Sequence, residues 1–299
     1  MLPYFVKMNN KTRISLLLVL ISLIWAGSFI AVKITVNEIS PIDLGFLRFL
    51  VATPVMILFL FLRKKDVRIP KKELPSLIIL GLTGVTFLYI FQFIGIEYTT
   101  ASTSSVLIST NVIFIVILSA LFLKEHFSFK RILGVILSFS GVIVVIFAQS
   151  SNGKICFNNQ FIIGCILILL SAFCWAVYSV VGKKLLTKYD AFAVTTYAFV
   201  LGTIFFLPVV FPNVINVIPN ISFNGWMAVL YLALLCSVFG YVAWYYALSK
   251  MEAGRTAVFL NLIPLFTITL AFFIDEIPTI LFLVGAIIII YGVYLAQKS

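Results

Sequence analysis

The sequence predicts an all-α polytopic membrane protein, with ten transmembrane helices in a five-plus-five inverted repeat and both termini cytoplasmic. Three observations carry that expectation. The 299 residues are 63% apolar and only 10% charged, with a mean hydropathy of +1.19, far from the roughly 45–50% apolar and 25% charged of soluble domains. Ten apolar runs approach the roughly 20 residues needed to cross a hydrocarbon core. One figure is also written twice: Glu125, Gly134 and Gly141 in LFLKEHFSFKRILGVILSFSG recur at the same spacing as Glu276, Gly285 and Gly292.

The spans follow from apolar runs read against polar breaks. The first, at 14–36, begins after Lys7, Lys11 and Arg13. It outruns the roughly 7–15 residues of a signal-peptide core and lacks an A-x-A site, so it reads as a retained helix. The second, 42–62, ends at a basic loop with Arg63, Lys64, Lys65, Arg68, Lys71 and Lys72. The third and fourth, 74–96 and 101–123, share a short polar break and lead to Lys124, Lys130 and Arg131. The fifth, 129–149, closes the first repeat, and the sixth, 160–182, runs into Lys183, Lys184 and Lys188. The seventh and eighth, 191–211 and 224–247, precede Lys250 and Arg255; the ninth and tenth, 255–274 and 278–297, end before Lys298.

Those loops hold every Lys and Arg except Lys33, Arg48 and Lys154, which assigns the N-terminus and every second loop to the cytoplasm. The chain thus divides into a cytoplasmic N-terminus (1–13), a first repeat (14–149), an external linker (150–159) and a second repeat (160–297). An odd number of spans per repeat makes the second half enter the membrane from the opposite face. Trp25, Ala26 and Lys33 match Trp175, Ala176 and Lys183 at the other end of each repeat. The net charge of +11 is spent on orientation, so no nucleic-acid partner is expected. Cys165, Cys174 and Cys236 lie in apolar runs and Cys156 in a loop, as small core residues do.

With that plan, LIWAGSFIAVK resembles the W-G-x-x-x-x-x-x-K signature of the EamA family in the drug/metabolite transporter superfamily, with Ala26 where the family often has glycine. Arg48 in LRF resembles its second-span arginine. LFLKE and FFIDE resemble its L-x-L-G-E box, with Lys124 and Asp275 in place of the glycine, and Pro264 matches its ninth-span proline. The likeness runs over 14–297. It implies a transporter, since members export amino acids, other metabolites and drugs.

A transport site needs polar or aromatic groups that lipid would not tolerate. On span six, Ser171, Trp175, Tyr178, Ser179 and Gly182 share a stripe, and on span one Ser22, Trp25, Ser28 and Phe29 do. Such stripes suit either close helix packing or a cavity wall. Tyr89 and Gln92 share a face of span three, as Tyr241, Trp244 and Tyr245 do on span eight. These form either an aromatic belt or a surface on which a flat substrate stacks, and the Gln92 amide does not suit lipid. Asn111 and Asn261 lie inside spans four and nine, to touch substrate or to bond across helices. Arg48, inside span two, calls for a hydrated or paired setting and has no repeat mate, its place falling near Ala198. Lys33 either snorkels or joins Arg48 on a carboxylate. The candidate substrate-binding set is Trp25, Ser28, Arg48, Tyr89, Gln92, Asn111, Trp175, Tyr178, Tyr241, Trp244, Tyr245 and Asn261. The glycine pairs suit packing within the bundle or a homodimer contact.

An enzyme is not expected: His126 is the single histidine, beside Glu125 in a loop, and there is no G-x-S-x-G or H-E-x-x-H. No metal or cofactor site is expected either. No Asp or Glu lies near a midplane, Glu97 being at the outer end of span three, so proton coupling, exchange and facilitated passage all stay open. The expected function is secondary export of small metabolites, amino acids or related amphipathic compounds, by alternating access from the cell membrane, as a monomer or homodimer in the bilayer. The alternatives are multidrug efflux on the same fold, a channel, or a non-transporting receptor or scaffold.

Overall fold

The computed structural model describes residues 10–63, 68–123, 129–150, 159–211 and 213–297. Glu125, His126, Lys154 and Cys156 lie outside the described residues. Every regular element among the described residues is helical. The long segments are α1 Asn10–Thr35, α2 Pro41–Leu62, α3 Lys71–Tyr98, α4 Ala101–Leu123, α5 Phe129–Ser150, α6 Asn159–Leu186, α7 Ala191–Val210, α8 Phe223–Lys250, α9 Phe259–Ile274 and α10 Ile280–Gln297. Seven of them (α1 to α4 and α6 to α8) are long and apolar enough to cross a membrane among the described residues; α9 and α10 carry shorter apolar stretches.

Several starts are written in the sequence. Ser40 caps α2, its hydroxyl accepting from the Asp43 N–H ahead of Pro41. Thr100 caps α4 through the Thr103 N–H, and Asp190 caps α7 through the N–H groups of Phe192 and Ala193. Side-chain acceptors of this kind satisfy amides that the first turn leaves open.

The halves interlock. α1 packs on α8 and α9, as α6 packs on α3 and α4; α2 packs on α7 and α5 on α10. Every one of these contacts has its counterpart when the two halves are exchanged. On the α2–α7 seam Thr53 and Thr203, 150 residues apart, share a hydroxyl hydrogen bond of 2.8 Å. On the α5–α10 seam the backbone of Gly141 lies against that of Gly285, which small residues permit.

The helices are less regular than apolar runs suggest. α4 is interrupted at Ser109 and Thr110, whose hydroxyls bond back to the carbonyls of Val106 and Leu107 at 2.5 and 2.8 Å and so compete with the helix ladder. Near its start α9 tightens to a 3-10 turn over Val258–Asn261. Asn111 and Asn261 sit at these two breaks. α3 and α8 each widen into a π-helical stretch, at Leu82–Thr86 and Tyr231–Phe239, a feature that recurs at functional sites.

Candidate functional site

Where α1, α2, α3, α4, α6 and α9 meet, a cavity with about 480 Å³ of empty volume is lined by Trp25, Ser28, Phe29, Arg48, Leu88, Tyr89, Gln92, Ile108, Asn111, Ser171, Trp175, Leu260 and Ile263. α6 reaches it near the middle of its length through Ser171 and Trp175, and α4 and α9 reach it at their breaks.

Arg48 is its charged wall and is only 1% exposed. Its Nε and Nη2 donate to Ser237 Oγ at 2.9 and 2.7 Å, and its guanidinium carbon lies 4.0 Å from the centre of the Tyr89 ring. Ser237 is held in turn, donating to the Leu232 carbonyl five residues back at 2.9 Å, a reach that the π-helical pitch of α8 allows. Among the described residues no carboxylate pairs with Arg48. Stacking on an aromatic face offsets part of the cost of burying the charge, and a neutral hydroxyl leaves that charge uncompensated.

The aromatic side is a connected set of rings. Trp25 and Trp175 meet edge-on with centroids 5.2 Å apart, Trp175 stacks on Tyr178 at 5.4 Å, and Tyr178 on Tyr245 at 4.7 Å. The Tyr178 ring lies so close over Gly84 that a Cβ there would fall inside it. The two π-helical stretches anchor the set from opposite halves. Trp25 Nε1 donates to the Cys236 carbonyl at 3.0 Å, and Tyr241 Oη donates to the Gly84 carbonyl at 2.7 Å while pairing with Tyr89 Oη at 2.9 Å.

Several buried polar atoms have no hydrogen-bond partner among the described residues: Asn111 Oδ1, Ser171 Oγ and Trp175 Nε1 on residues that line the cavity, and Ser179 Oγ, Trp244 Nε1 and Asn261 Oδ1 around it. Buried polar groups are normally satisfied. A concentration of unsatisfied ones about a cavity is what a site for a polar molecule looks like.

Of the residues singled out from sequence, Trp25, Ser28, Arg48, Tyr89, Gln92, Asn111 and Trp175 line the cavity. Tyr178, Tyr241, Trp244, Tyr245 and Asn261 do not; the four rings are fully buried in the packed layer next to it. Lys33 does not join Arg48. Its ammonium donates to the carbonyls of Ile96, Glu97 and Thr99 at 3.1, 3.2 and 2.5 Å, closing the C-terminal end of α3. Lys183 does the same for α8, bonding the carbonyls of Leu248 and Met251. Both follow from the attraction of cations to helix C-termini. Sequence reasoning missed Ser237, Leu88, Ile108, Leu260 and Ile263; the apolar ones look like any other span residue, whereas Ser237 lies one turn before Tyr241 and extends its stripe, a signal that could have found it.

Comparison with known proteins follows the same outline. The model of the EamA-like transporter family matches residues 12–147 and again 162–297. An uncharacterized transporter from Archaeoglobus fulgidus is 42% identical over 296 residues, covering 98% of this chain and 99% of that protein. A probable terminal-alkyne amino-acid exporter from Streptantibioticus cattleyicolor is 29% identical over 94% of this chain and 92% of its own. A probable amino-acid metabolite efflux pump from Escherichia coli is 26% identical over 96% and 95%. A solved crystal structure superposes with a TM-score of 0.68 over 95% of each chain at 18% identity, a likeness of fold alone.

Proposed function

The chain belongs to the EamA-like transporter family, and from that premise we propose that it exports amino acids or related amphipathic metabolites from the cell through the central cavity. The observation that carries the reading is the cavity's mixed wall. Among the described residues one buried guanidinium lacks a carboxylate, and Asn111 Oδ1, Ser171 Oγ and Trp175 Nε1 lack partners, beside apolar Leu88, Ile108, Leu260 and Ile263. An α-amino acid answers each part: its carboxylate for Arg48, its ammonium for the Asn111 oxygen, its side chain for the apolar and aromatic wall. Tyr178, Tyr241, Trp244, Tyr245 and Asn261 support that wall from behind. The names carried by the Streptantibioticus cattleyicolor and Escherichia coli relatives support the same substrate class.

In this reading ten spans cross the cell membrane as an inverted five-plus-five repeat with both termini cytoplasmic, and the interlocked halves exchange roles to open the cavity to each side. The exchange-matched contacts of α1 with α8 and α9, and of α6 with α3 and α4, support it. Purified protein in liposomes should move a labelled aromatic amino acid saturably. Arg48→Ala should weaken this on the order of tenfold, the worth of a hydrogen-bonded charge, and should spare neutral and cationic compounds. Equal loss for all three classes points instead to multidrug efflux, for which the apolar wall is the supporting observation. Cysteines placed at Lys154 and Lys188 should label from opposite sides of the membrane, and labelling from one side would refute the topology.

A further inference from the structure

A second recess shares no lining residue with the central cavity. It runs between the start of α3, the end of α4 and the second half of α6 with the turn that follows it. Its floor is apolar, with Ile79, Phe122 and Phe173 substantially exposed. Side chains of this kind on membrane-length helices meet acyl chains, and a recess between them seats a chain with contacts on three sides.

The rim is charged. Lys184, Lys188 and Glu73 line it. Glu73 Oε1 lies 3.6 Å from Lys188 Nζ and accepts from Tyr189 Oη at 3.3 Å, so its charge is balanced within the rim, which keeps a net positive charge through Lys184. Lys188 keeps donors beyond that contact, and the Lys184 ammonium has no partner among the described residues. Arg68, Lys71 and Lys72 enter α3 at the same end. Basic pockets between transmembrane helices are where anionic head groups settle. A small soluble anion has no use for the apolar floor, and a zwitterionic lipid has none for two lysines.

We propose that this groove is a binding site for one anionic phospholipid, its acyl chain between Ile79, Phe122, Phe173 and Val177 and its phosphate on Lys184 and Lys188. The test is native mass spectrometry of the purified, delipidated protein titrated with phosphatidylglycerol, phosphatidylcholine or glycerol 1-phosphate, and it requires no transport activity. One phosphatidylglycerol should bind per chain in preference to phosphatidylcholine, and glycerol 1-phosphate should not displace it. Lys184→Ala and Lys188→Ala should each weaken binding about fivefold, the worth of one cation at a membrane surface. Val177→Trp should block the lipid with both lysines in place; should that variant fold poorly, the lysine variants decide, since both side chains lie at the surface. Equal binding of the two lipids, unchanged affinity in Lys184→Ala, or displacement by glycerol 1-phosphate would each overturn the assignment, the last in favour of a free phosphate site.

Discussion

Trp25 and Trp175 hold matching places in the two halves, with rings in contact at 5.2 Å, yet their indole nitrogens have different fates. Trp25 Nε1 donates to the Cys236 carbonyl in the π-helical stretch of α8. The matching carbonyl in the π-helical stretch of α3 belongs to Gly84, and Tyr241 occupies it. Trp175 Nε1 is left without a partner among the described residues, on a residue that lines the cavity. Repeat symmetry therefore sets where the two rings stand, and competition for one acceptor decides which of them is free to meet another molecule. The same division runs through α2 and α7. Thr53 and Thr203 are alike and bond to each other across the seam, whereas Arg48, whose place in the second half falls near the buried Ala198, faces the cavity.

The largest effect that could break this comparison is on stability. Trp25→Phe removes a buried hydrogen bond between halves and part of a packed ring, and should cost about 1–3 kcal/mol, read as a lower melting temperature of the detergent-solubilised protein. Trp175→Phe trims a ring beside the same cavity but removes an N–H that has no partner among the described residues, so its melting temperature should fall less than that of Trp25→Phe. Equal destabilisation by the two would mean that the indoles are equivalent in solution. The converse asymmetry is expected in liposomes: Trp175→Phe should weaken transport of the aromatic amino acid about fivefold, the worth of one neutral hydrogen bond. A Trp175→Phe protein with unchanged transport would remove the indole N–H from the site.

Much of the frame was legible in the chain because it is written in whole-residue identities at constant spacing. Trp25 and Lys33 against Trp175 and Lys183, and the Glu-Gly-Gly figure, pointed to two like halves, and the family match divides the chain in the same way. Ser40 and Asp190 also cap helix starts, a signal that the apolar runs alone did not use. The stripe on α6 was legible as a stripe, but which of its residues border empty space was not. Ser171 and Trp175 do, while Tyr178 is buried against Tyr245, and that depends on what α8 places opposite. The pairing of Arg48 with Ser237 lay beyond reach for a different reason. A period of 3.6 places Ser237, four residues before Tyr241, on the same face as Tyr241, Trp244 and Tyr245, but it does not say which side chain of another helix lies opposite. Of the two readings of Lys33, the one that joins it to Arg48 is not what the structure shows, because a helix C-terminus is a partner that composition does not display.

The smallest expected effect tests whether the corners of the two halves are built alike. Asp275 stands where the resembled family's box has glycine, and its φ of 59° and ψ of 22° are left-handed, a conformation that glycine adopts without the crowding a Cβ brings. The turn it makes returns the Glu276 N–H to the Ala271 carbonyl at 3.1 Å. It also aims the Glu276 carboxylate at α4, where it accepts from the N–H groups of Ala101 and Ser102 and from the Ser102 hydroxyl, each at 3.0 Å. Asp275→Gly should therefore stabilise the protein by up to about 1 kcal/mol, a rise of a degree or so to a few degrees in melting temperature. A β-branched residue there should lower it. Lys124 holds the matching place in the first half. If Lys124→Gly shifts stability in the same direction and by a similar amount, the two corners share one backbone; if only Asp275→Gly does, the left-handed turn belongs to the second half, and the halves diverge at their corners as they do at their tryptophans.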